Sequence, residues 1–295
     1  MMKRRHAAGY LGRKKRKAGG RGRARSSRTG RRRAAGTAYV LPEHQSAAAV
    51  VSVQNEEQTI GRVLQELRKL PLCDIITVIN GTTDGSLAAA LDVPGITIVH
   101  MPEPLGHDVG RAVGAGMTDA DIVLFVDGDL PVPASELMPF LTAVSKGADV
   151  ALNDIMPYLG RFDRWDDVSV IKAFVNTALG RRSLRANSLT SVPHALSRKA
   201  LETIGTGRLA VPPAAQAAAI LAGLKVTACY SVDVITRNRV RRTNTGRGND
   251  VARLIMGDHM EALSNAMEQE GPRLGLPDLV RRREAAGGDR PWGTG

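Results

Sequence analysis

The sequence of 295 residues predicts an α/β domain in which a mostly parallel sheet is flanked by helices. Three observations lead to that prediction. Apolar runs rich in β-branched residues recur at intervals of roughly 25 to 30 residues, which is the spacing of repeated strand-helix units. The segments between these runs show helical periodicity. Each run ends in short polar residues or glycines, as expected where parallel strands present a ligand-binding edge.

The first two strands are predicted over residues 47–53 and 74–79, where small, apolar and β-branched residues follow one another. A helix between them is indicated by apolar residues at the i, i+3, i+4 and i+7 positions of one face, namely Ile60, Val63, Leu64 and Leu67. The second strand leads into Asn-Gly-Thr-Thr-Asp-Gly-Ser at residues 80–86. The two glycines of this segment would let the backbone approach a ligand closely.

A third strand is predicted over residues 95–100 and precedes a glycine-rich entry to a helix at residues 105–114. The fourth predicted strand, residues 121–126, ends in Asp127-Gly128-Asp129. Two carboxylates at positions i and i+2 on the carboxyl end of a parallel strand are well placed to bind a divalent cation through oxygen. Because similar tripeptides are common in solvated turns, this motif alone leaves both interpretations open.

The second half of the chain is predicted to contain helices over residues 134–146 and 168–179. A strand is predicted over residues 148–152, and it ends in Asn153-Asp154. Another helix is predicted over residues 250–268, with an apolar face formed by Val251, Leu254, Ile255, Met260 and Leu263.

The positive charge of the chain is concentrated at its N-terminus. The formal net charge is +12, but residues 1–36 hold 15 Lys or Arg and no Asp or Glu, and the remainder carries 26 basic against 29 acidic residues. With so little apolar surface, residues 1–42 are predicted to form a disordered basic tail. Such a tail could bind an anionic membrane surface or nucleic acid, or it could simply be a solubilising extension.

The cysteine content and the hydropathy of the chain indicate the cellular compartment in which the protein is expected. Cys73 and Cys229 are the two cysteines, and their spacing suggests neither metal nor redox chemistry. No run approaches the ~18 apolar residues of a membrane helix, and no apolar stretch follows the N-terminal charges as in a secretory signal. We therefore expect a cytoplasmic protein, which the basic tail could hold peripherally on the inner face of the membrane.

Four motifs, in their order along the chain, resemble the nucleotide-sugar half of family 2 glycosyltransferases with the GT-A fold, which is Rossmann-like. They lie at residues 52–57, 80–86, 110–114 and 127–129. The resemblance is close over residues 47–150 and looser to about residue 235, through the segment 190–201. It implies a GT-A domain over residues 43–270, with a nucleotide-sugar half at 43–150 and an acceptor half at 151–270. Residues 271–295 are then expected to be a flexible C-terminal tail.

The resemblance implies a hexosyltransferase-type enzyme that moves a sugar from a nucleoside diphosphate sugar to an unknown acceptor with the help of Mg²⁺ or Mn²⁺. Asp127 and Asp129 would bind the metal, and His259 is a further candidate ligand. The residues implied to bind the donor are Ser52, Asn55, Glu57, Asn80, Asp84, His107, Arg111 and Asp127. A UDP-sugar is the first expectation. Asn80 stands where relatives often carry an acid, so guanosine and thymidine sugars stay open.

The acceptor half departs from the family pattern. Inverting relatives carry a catalytic carboxylate near the start of a later helix, but residues 209–216 contain no acid. Either Asp154 is the base, with Asp163, Asp166 and Asp167 as further candidates, or the enzyme retains configuration and needs no such base. His194 is expected on the acceptor side or at the metal. The basic segment 237–249 is expected to be a lid over the diphosphate or a surface loop.

Two other functions can be compared with the sequence. A sugar-phosphate nucleotidyltransferase of the same fold would need a glycine-rich loop bearing Arg or Lys after the first strand, and Gln54-Asn55-Glu56-Glu57 is nothing like it. A non-catalytic nucleotide-sugar-binding or polyanion-associated protein stays open, because the expected acid is missing and the tail is basic.

Overall fold

Residues 39–237 and 250–281 are described by a computed structural model. The predicted N-terminal tail up to residue 38, residues 238–249 of the predicted lid and residues 282–295 lie outside the described part of the chain. The described residues belong to one compact unit that begins at Tyr39. The domain boundaries predicted from the sequence stay predictions. None of the described helices combines the length and the apolar character needed to cross a membrane.

The strands of the described residues are β1 (Ala47–Val53), β2 (Asp74–Asn80), β3 (Thr97–Met101), β4 (Ile122–Asp127), β5 (Val150–Asn153), β6 (His194–Ser197) and β7 (Val226–Tyr230). These seven strands form one sheet in the order β3-β2-β1-β4-β6-β5-β7. Only β6 runs antiparallel to its neighbours β4 and β5 within this sheet, and the other pairs are parallel, as predicted.

Helices cover both faces of the sheet, and the predicted first helix buries the four apolar residues expected of it. The helices are α1 (Ile60–Leu67), α2 (Ser86–Leu91), α3 (Val109–Ala115), α4 (Ala134–Ser145), α5 (Met156–Leu159), α6 (Asp167–Ala178), α7 (Arg198–Ile204), α8 (Pro212–Leu221) and α9 (Asp250–Glu270).

The sheet has a buried apolar layer on each face, because successive residues of β1 point to opposite sides. Val51 packs in one cluster with residues of α1 and α4, and Val50 packs in the other with residues of α7 and α8. This arrangement explains why the central strands are apolar throughout instead of alternating.

The register of the central strands gathers the predicted motifs at one edge. Ser52 of β1 pairs with Asp127 of β4, and Val53 pairs with Ile79 of β2. The carboxyl ends of all three strands therefore meet, as a doubly wound sheet requires.

The predicted apolar face of α9 is confirmed only in part, because three of its five residues are half-buried and two are exposed. Leu254 and Met260 are 44% and 65% exposed, and the buried residues are His259, Ala262 and Ala266. Helix α9 packs against α6 and α8, and small side chains at the contact let helices approach closely. The buried stripe therefore consists of small residues and one histidine, which a search for large apolar residues does not detect.

Candidate active site

The acidic turn after β4 is held by hydrogen bonds from two neighbouring segments. The Gly128 N–H donates to the Ser52 carbonyl oxygen at 2.9 Å. The Thr59 hydroxyl donates to the Gly128 carbonyl oxygen at 2.7 Å. Both sides of the Gly128 residue are thus tied down, and this fixes the backbone of Asp127 and Asp129 at the carboxyl edge of the sheet.

A cavity of about 340 Å³ opens beside this turn, which is within the usual range for small-molecule sites. Of the residues predicted to function, its described lining includes Ser52, Asn80, His107, Arg111, Asp127 and Asp129. The other predicted residues lie outside that described lining, and they are Asn55, Glu57, Asp84, Asp154, His194 and His259.

Ser52 lies at the cavity with an unused hydrogen-bonding group. Its hydroxyl oxygen is buried and has no hydrogen-bond partner among the described residues. Gly110 lies against it, since a Cβ at Gly110 would be 3.1 Å from Ser52 Oγ. A buried hydroxyl without a partner costs free energy, and a ligand could supply the missing hydrogen bond. Ser52 and Gly110 therefore leave room for a polar ligand atom, and the predicted contact of Ser52 with the donor stays a prediction.

Arg111 is buried and joins three segments of the site. Its Nη1 lies 2.9 Å from Asp108 Oδ1 and donates to the Leu189 carbonyl oxygen at 3.2 Å. Its Nη2 lies 3.4 Å from Asp127 Oδ1. Burial lowers the pKa of Arg111, but the carboxylates of Asp108 and Asp127 outweigh burial, and the pKa is raised. Arg111 is therefore a charged group at the acidic turn, and two carboxylates balance its charge.

Asp108 is a site residue that sequence reasoning missed. Its backbone is left-handed, with φ of 61°, a conformation that Asp adopts more readily than most residues. Its nearly buried carboxylate faces Arg111, and His107 Nε2 lies 3.7 Å from Asp108 Oδ2. The three-residue spacing between Asp108 and Arg111 was the available signal for this pair.

Asn80 anchors the segment that leads to His107. Its Nδ2 donates to the Gly106 carbonyl oxygen at 2.9 Å, and its Oδ1 accepts from the Leu105 N–H at 2.7 Å. A carboxylate could accept from Leu105 but could not donate to Gly106. The amide therefore has a structural reason to stand where relatives often carry an acid, and its predicted contact with the nucleoside stays a prediction.

Asn55, Glu57 and Asp84 connect the loops that follow β1 and β2. Asn55 Oδ1 accepts from the Thr83 N–H at 2.8 Å, and Glu57 Oε2 accepts from the Gly85 N–H at 2.9 Å. In return, the Glu57 N–H donates to Asp84 Oδ2 at 3.2 Å. These residues brace the rim of the site, and their predicted contacts with the donor stay predictions.

The described lining of the cavity carries more acidic than basic side chains. Two cationic residues stand against four carboxylates: Arg111 and Lys172 against Glu56, Asp108, Asp127 and Asp129. A nucleoside diphosphate would add further negative charge, so its binding here calls for a cation. Mg²⁺ commonly takes one or two carboxylates and completes its shell with phosphate oxygens and water. Asp127 and Asp129 fit that requirement.

His259, the predicted third metal ligand, is buried on α9 outside the described cavity lining. Its Nδ1 lies 2.6 Å from the Ile255 carbonyl oxygen. Burial lowers the pKa of His259 to about 4, and Lys172 contributes to the lowering, so the ring is neutral at pH 7. Within residues 39–237 and 250–281, no three His, Cys, Asp or Glu side chains converge as a metal site would require. The role predicted for His259 stays a prediction.

Asp154, the predicted base, braces a neighbouring segment. Its Oδ1 accepts from the Met156 N–H at 3.1 Å and from Asn187 Nδ2 at 3.0 Å. Asn187 Oδ1 in turn accepts from the Ile155 N–H at 3.0 Å. The carboxylate thus positions the segment that begins at Asn187 and continues into the cavity, and its catalytic role stays a prediction.

Gln216 explains why residues 209–216 carry an amide where an acid was expected. Its Nε2 donates to Asn176 Oδ1 at 2.7 Å, and its Oε1 accepts from the Leu189 N–H at 2.8 Å. Asn176 Nδ2 donates to the Asn187 carbonyl oxygen at 3.0 Å. A carboxylate could not donate to Asn176. This buried amide network therefore fixes the segment 187–191 in place.

His194 lies directly behind the cavity wall. Its ring stacks on Phe125 with centroids 5.1 Å apart, and its Nδ1 lies 3.2 Å from the Ser191 carbonyl oxygen. Burial lowers the pKa of His194 to about 3, and the charge of Arg111 contributes. His194 is therefore neutral and supports Ser191, which lines the cavity. Its predicted acceptor-side role stays a prediction.

Lys172 is a second site residue that sequence reasoning missed. It is 8% exposed, lines the cavity, and donates from Nζ to Ser191 Oγ at 3.3 Å. Burial lowers its pKa to about 8, although the charge of Asp166 opposes the shift. The available signal was a lysine inside the otherwise apolar stretch 170–175 of a predicted helix.

The sheet order, the acidic pair after β4 and the cavity at the carboxyl edge define an α/β fold of the GT-A class. The sequence model of the family described as glycosyl transferase family 2 matches residues 48–205, which is more than half of the chain. The chain therefore belongs to that family.

Similar proteins agree with this assignment. Glycosyltransferase AglJ of Haloferax volcanii is 26% identical over 117 residues, which is 39% of this chain and 37% of the length of that protein. The structure of glucosyl-3-phosphoglycerate synthase from Mycobacterium tuberculosis with UDP has a TM-score of 0.56 at 20% identity, covering 80% of this chain and 82% of the other. A complex of that synthase with Mn²⁺, UDP and glucosyl-3-phosphoglycerate has a TM-score of 0.56 at 18% identity, with the same coverage. At these identities the structures show a shared fold.

Proposed function

We propose that this protein is a glycosyltransferase that moves a sugar from a nucleoside diphosphate sugar to an acceptor hydroxyl, with Mg²⁺ or Mn²⁺ bound by Asp127 and Asp129. The observation that carries the proposal is the acidic pair fixed at the edge of a cavity that also contains Arg111 and the unpartnered Ser52 hydroxyl. UDP stands first among the donors, because similar structures contain it.

In this reaction the bond between the anomeric carbon and the diphosphate oxygen breaks, the acceptor oxygen forms the new bond to that carbon, and the proton of the acceptor hydroxyl passes to a base or to solvent. Negative charge grows on the leaving diphosphate, and fixed positive charge near it lowers the barrier. Arg111 and His107 lie in the cavity where they could face that charge. A divalent cation, when bound, would neutralise the diphosphate oxygens. Ser52, beside Gly110, would hold a polar atom of the donor.

Replacing one carboxylate of the acidic pair tests the proposal. We expect Asp129→Asn to lower the metal-dependent release of UDP from a UDP-sugar by about 100-fold or more, because the amide is a weaker cation ligand. Release of UDP from a panel of UDP-sugars is measured with added Mn²⁺ and again after chelation, which should reduce wild-type turnover in the same way.

Asp119→Asn is the matched control, because Asp119 is an exposed aspartate just before the opposite end of β4. This variant should keep wild-type turnover. Metal-stimulated turnover that persists in Asp129→Asn would rule out the metal role, whereas a wild-type protein that turns over no sugar nucleotide would contradict the transferase itself.

A second candidate is a non-catalytic nucleotide-sugar-binding protein. One observation favours it: the second half of the chain contributes no carboxylate to the described cavity lining, so the described lining offers no base from that side. A retaining transferase would show the same feature. Tight binding of a UDP-sugar without any release of UDP would support the binding protein, and turnover would exclude it.

A further inference from the structure

We propose that the acceptor carries an anionic group, a phosphate or a carboxylate, and that Lys172 on α6 binds this group together with the Ser191 hydroxyl. The inference rests on the proposed function, because it concerns the second substrate of the same cavity. It assigns a binding role to two residues that the sequence did not single out.

The first support is the burial of an unpaired cation. Lys172 is more than nine-tenths buried, and among the described residues no carboxylate oxygen lies within 4.0 Å of its ammonium. Its hydrogen-bond partner is the neutral Ser191 hydroxyl, at 3.3 Å. Burying a charge without a counter-ion is costly, and the lowered pKa of about 8 reflects that cost. An anionic ligand would supply the counter-ion.

The second support is the contrast with Arg111, the other cationic residue of the described lining. Arg111 has Asp108 and Asp127 within 3.4 Å, so its charge is already matched. The charged and titratable groups that influence Lys172 are Asp166 at the start of α6, Asp108 and Arg111 around α3, and the neutral His259 of α9. None of the four provides a close carboxylate. An anionic group that enters the cavity is therefore expected to bind more strongly at Lys172 than at Arg111.

The third support is the position of Lys172 in the fold. Lys172 and Ser191 come from α6 and from the segment before β6, whereas the residues expected to bind the donor all come from residues 52–127. Because Ser191 Oγ accepts from Lys172, its own proton is available to donate. The ammonium and the hydroxyl can thus both donate hydrogen bonds to a ligand. They come from a later part of the chain than the residues expected to bind the sugar nucleotide.

Apolar side chains also line this cavity. Val251 and Ile255 of α9, together with Val234 and Ile235, line the same cavity. A hydroxyl compound with one anionic group and a carbon-rich body matches this surface. Such a group could belong to a soluble compound or to a lipid headgroup, and the chemistry recognised is the same.

The direct test is a calorimetric titration of inorganic phosphate into the full-length wild-type protein saturated with UDP and Mg²⁺. We expect binding, and we expect Lys172→Met to weaken it by about 10- to 100-fold, because a charged hydrogen bond in a buried site is lost. The matched control is Lys146→Met, which replaces an exposed lysine that follows α4 outside the described lining. Both variants should bind UDP as the wild type does, which also confirms that they are folded.

Transfer assays then separate the sources of the anion. Glycerol 3-phosphate is compared with glycerol, and phosphatidylcholine vesicles containing phosphatidylglycerol are compared with vesicles lacking it. We expect the phosphate-bearing acceptor to be preferred, and Lys172→Met to lower kcat/KM for that acceptor while KM for the donor stays the same. A purely structural lysine would not separate the two substrates in this way.

The proposal is overturned if phosphate fails to bind the UDP-loaded wild type, if Lys172→Met binds phosphate as tightly as the wild type, or if glycerol serves as well as its phosphate. If Lys172→Met fails to fold, the phosphate titration of the wild type and the comparison of glycerol with its phosphate still test the proposal. A wild-type protein that binds no UDP would instead contradict the proposed function itself, on which this inference rests, and that outcome is recognised before any phosphate is added.

Discussion

The two buried cations of the site differ in how their charge is balanced. Arg111 is paired with Asp108 and Asp127, and its pKa is raised. Among the described residues, the hydrogen-bond partner of Lys172 is a hydroxyl and not a carboxylate, and its pKa is lowered to about 8. A buried charge without a counter-ion lowers the stability of the protein, whereas a buried ion pair can be close to neutral. The two residues therefore differ in what they contribute to the free energy of unfolding.

This difference predicts a stability effect at Lys172. We expect Lys172→Met to raise the free energy of unfolding at pH 7 by about 1–4 kcal/mol, because a buried charge is replaced by an apolar chain of similar length. The pKa is about 8 in the folded state against a reference value of 10.5, so the unfolded state binds more protons between these values. Wild-type stability should accordingly rise relative to the variant from pH 8 to 10.5, and the gap should close. Urea denaturation across this range measures it.

A gap that stays constant up to pH 10.5 would mean that the ammonium is not desolvated in the folded protein. Lys146→Met serves again as the control, because removing an exposed lysine should leave stability within about 0.5 kcal/mol at every pH.

Single residues also show where sequence reasoning ends. Asp127 and Asp129 could be selected because a buried strand precedes them and a family pattern matches them. The contacts of Asn80, Gln216 and Asp154 could not be selected, because each depends on a group distant in sequence: a backbone group for Asn80 and Gln216, and the Asn187 side chain for Asp154. Residue type indicates which hydrogen bonds are possible, and only the fold determines which are made.

Among the elements, α3 is positioned by one close contact with β1. A Cβ at Gly114 would lie 2.4 Å from Val50 Cγ1, so only glycine permits the observed approach of helix and strand. Because α3 also carries Arg111, the glycine sets the depth at which the guanidinium enters the cavity.

We expect Gly114→Ala to destabilise the protein by about 1–3 kcal/mol, because the added methyl overpacks the contact with Val50. UDP binding should weaken as well, since α3 must move away from β1 together with Arg111. Chemical denaturation and calorimetric titration with UDP measure the two effects.

Gly61→Ala in α1 is the matched control, because nothing lies within 4 Å of the added Cβ. Gly61→Ala should raise the free energy of unfolding by about 0.5–1 kcal/mol, because alanine has a higher helix propensity than glycine. If Gly114→Ala were as stabilising as Gly61→Ala, the close approach of α3 to β1 would not be tight in solution.

The helices show which buried faces the periodicity of apolar residues predicts and which it does not. It predicts α1 and its buried face, because large apolar residues mark that face. It predicts the existence of α6 and α9 but misleads about α9, because the buried residues there are alanines and a histidine. In α6 the buried face includes Ser169, Lys172 and Asn176, and Phe174 is exposed. Helices that build a site bury polar residues, so their burial pattern departs from their hydrophobic pattern.

At the scale of the whole molecule, the parallel sheet followed from the sequence, but the antiparallel β6 did not. Strand β6 is a four-residue segment, His194–Ser197, without a long apolar run. The direction of a strand depends on the connection by which the chain returns to the sheet, and the sequence pattern of the strand itself does not indicate it. The position of residues 190–193 at the cavity follows from that return, so this side of the cavity was the least predictable part of the site.

The uneven distribution of charge leads to a prediction for the whole chain. Deleting residues 1–36 removes 15 basic residues, and the remaining chain is slightly acidic. We expect the truncated protein to lose retention on heparin and sedimentation with anionic vesicles, because these interactions depend on clustered basic charge. Metal-dependent release of UDP should stay within about twofold of the wild type, since the cavity is lined by later residues. Unchanged retention on both supports would assign the adhesion to another surface.

The late arrival of β6 also has a consequence for synthesis on the ribosome. The block β3-β2-β1-β4 comes from a continuous stretch of chain and can assemble first, but β4 then lacks a partner on one edge. About 70 residues separate β4 from β6, so at roughly 5–20 residues per second that edge stays open for several seconds. An open apolar edge invites pairing with another nascent chain, and flanking charges discourage it. We therefore expect Asp121 and Asp127, one just before and one at the end of β4, to discourage such pairing until β6 has been added.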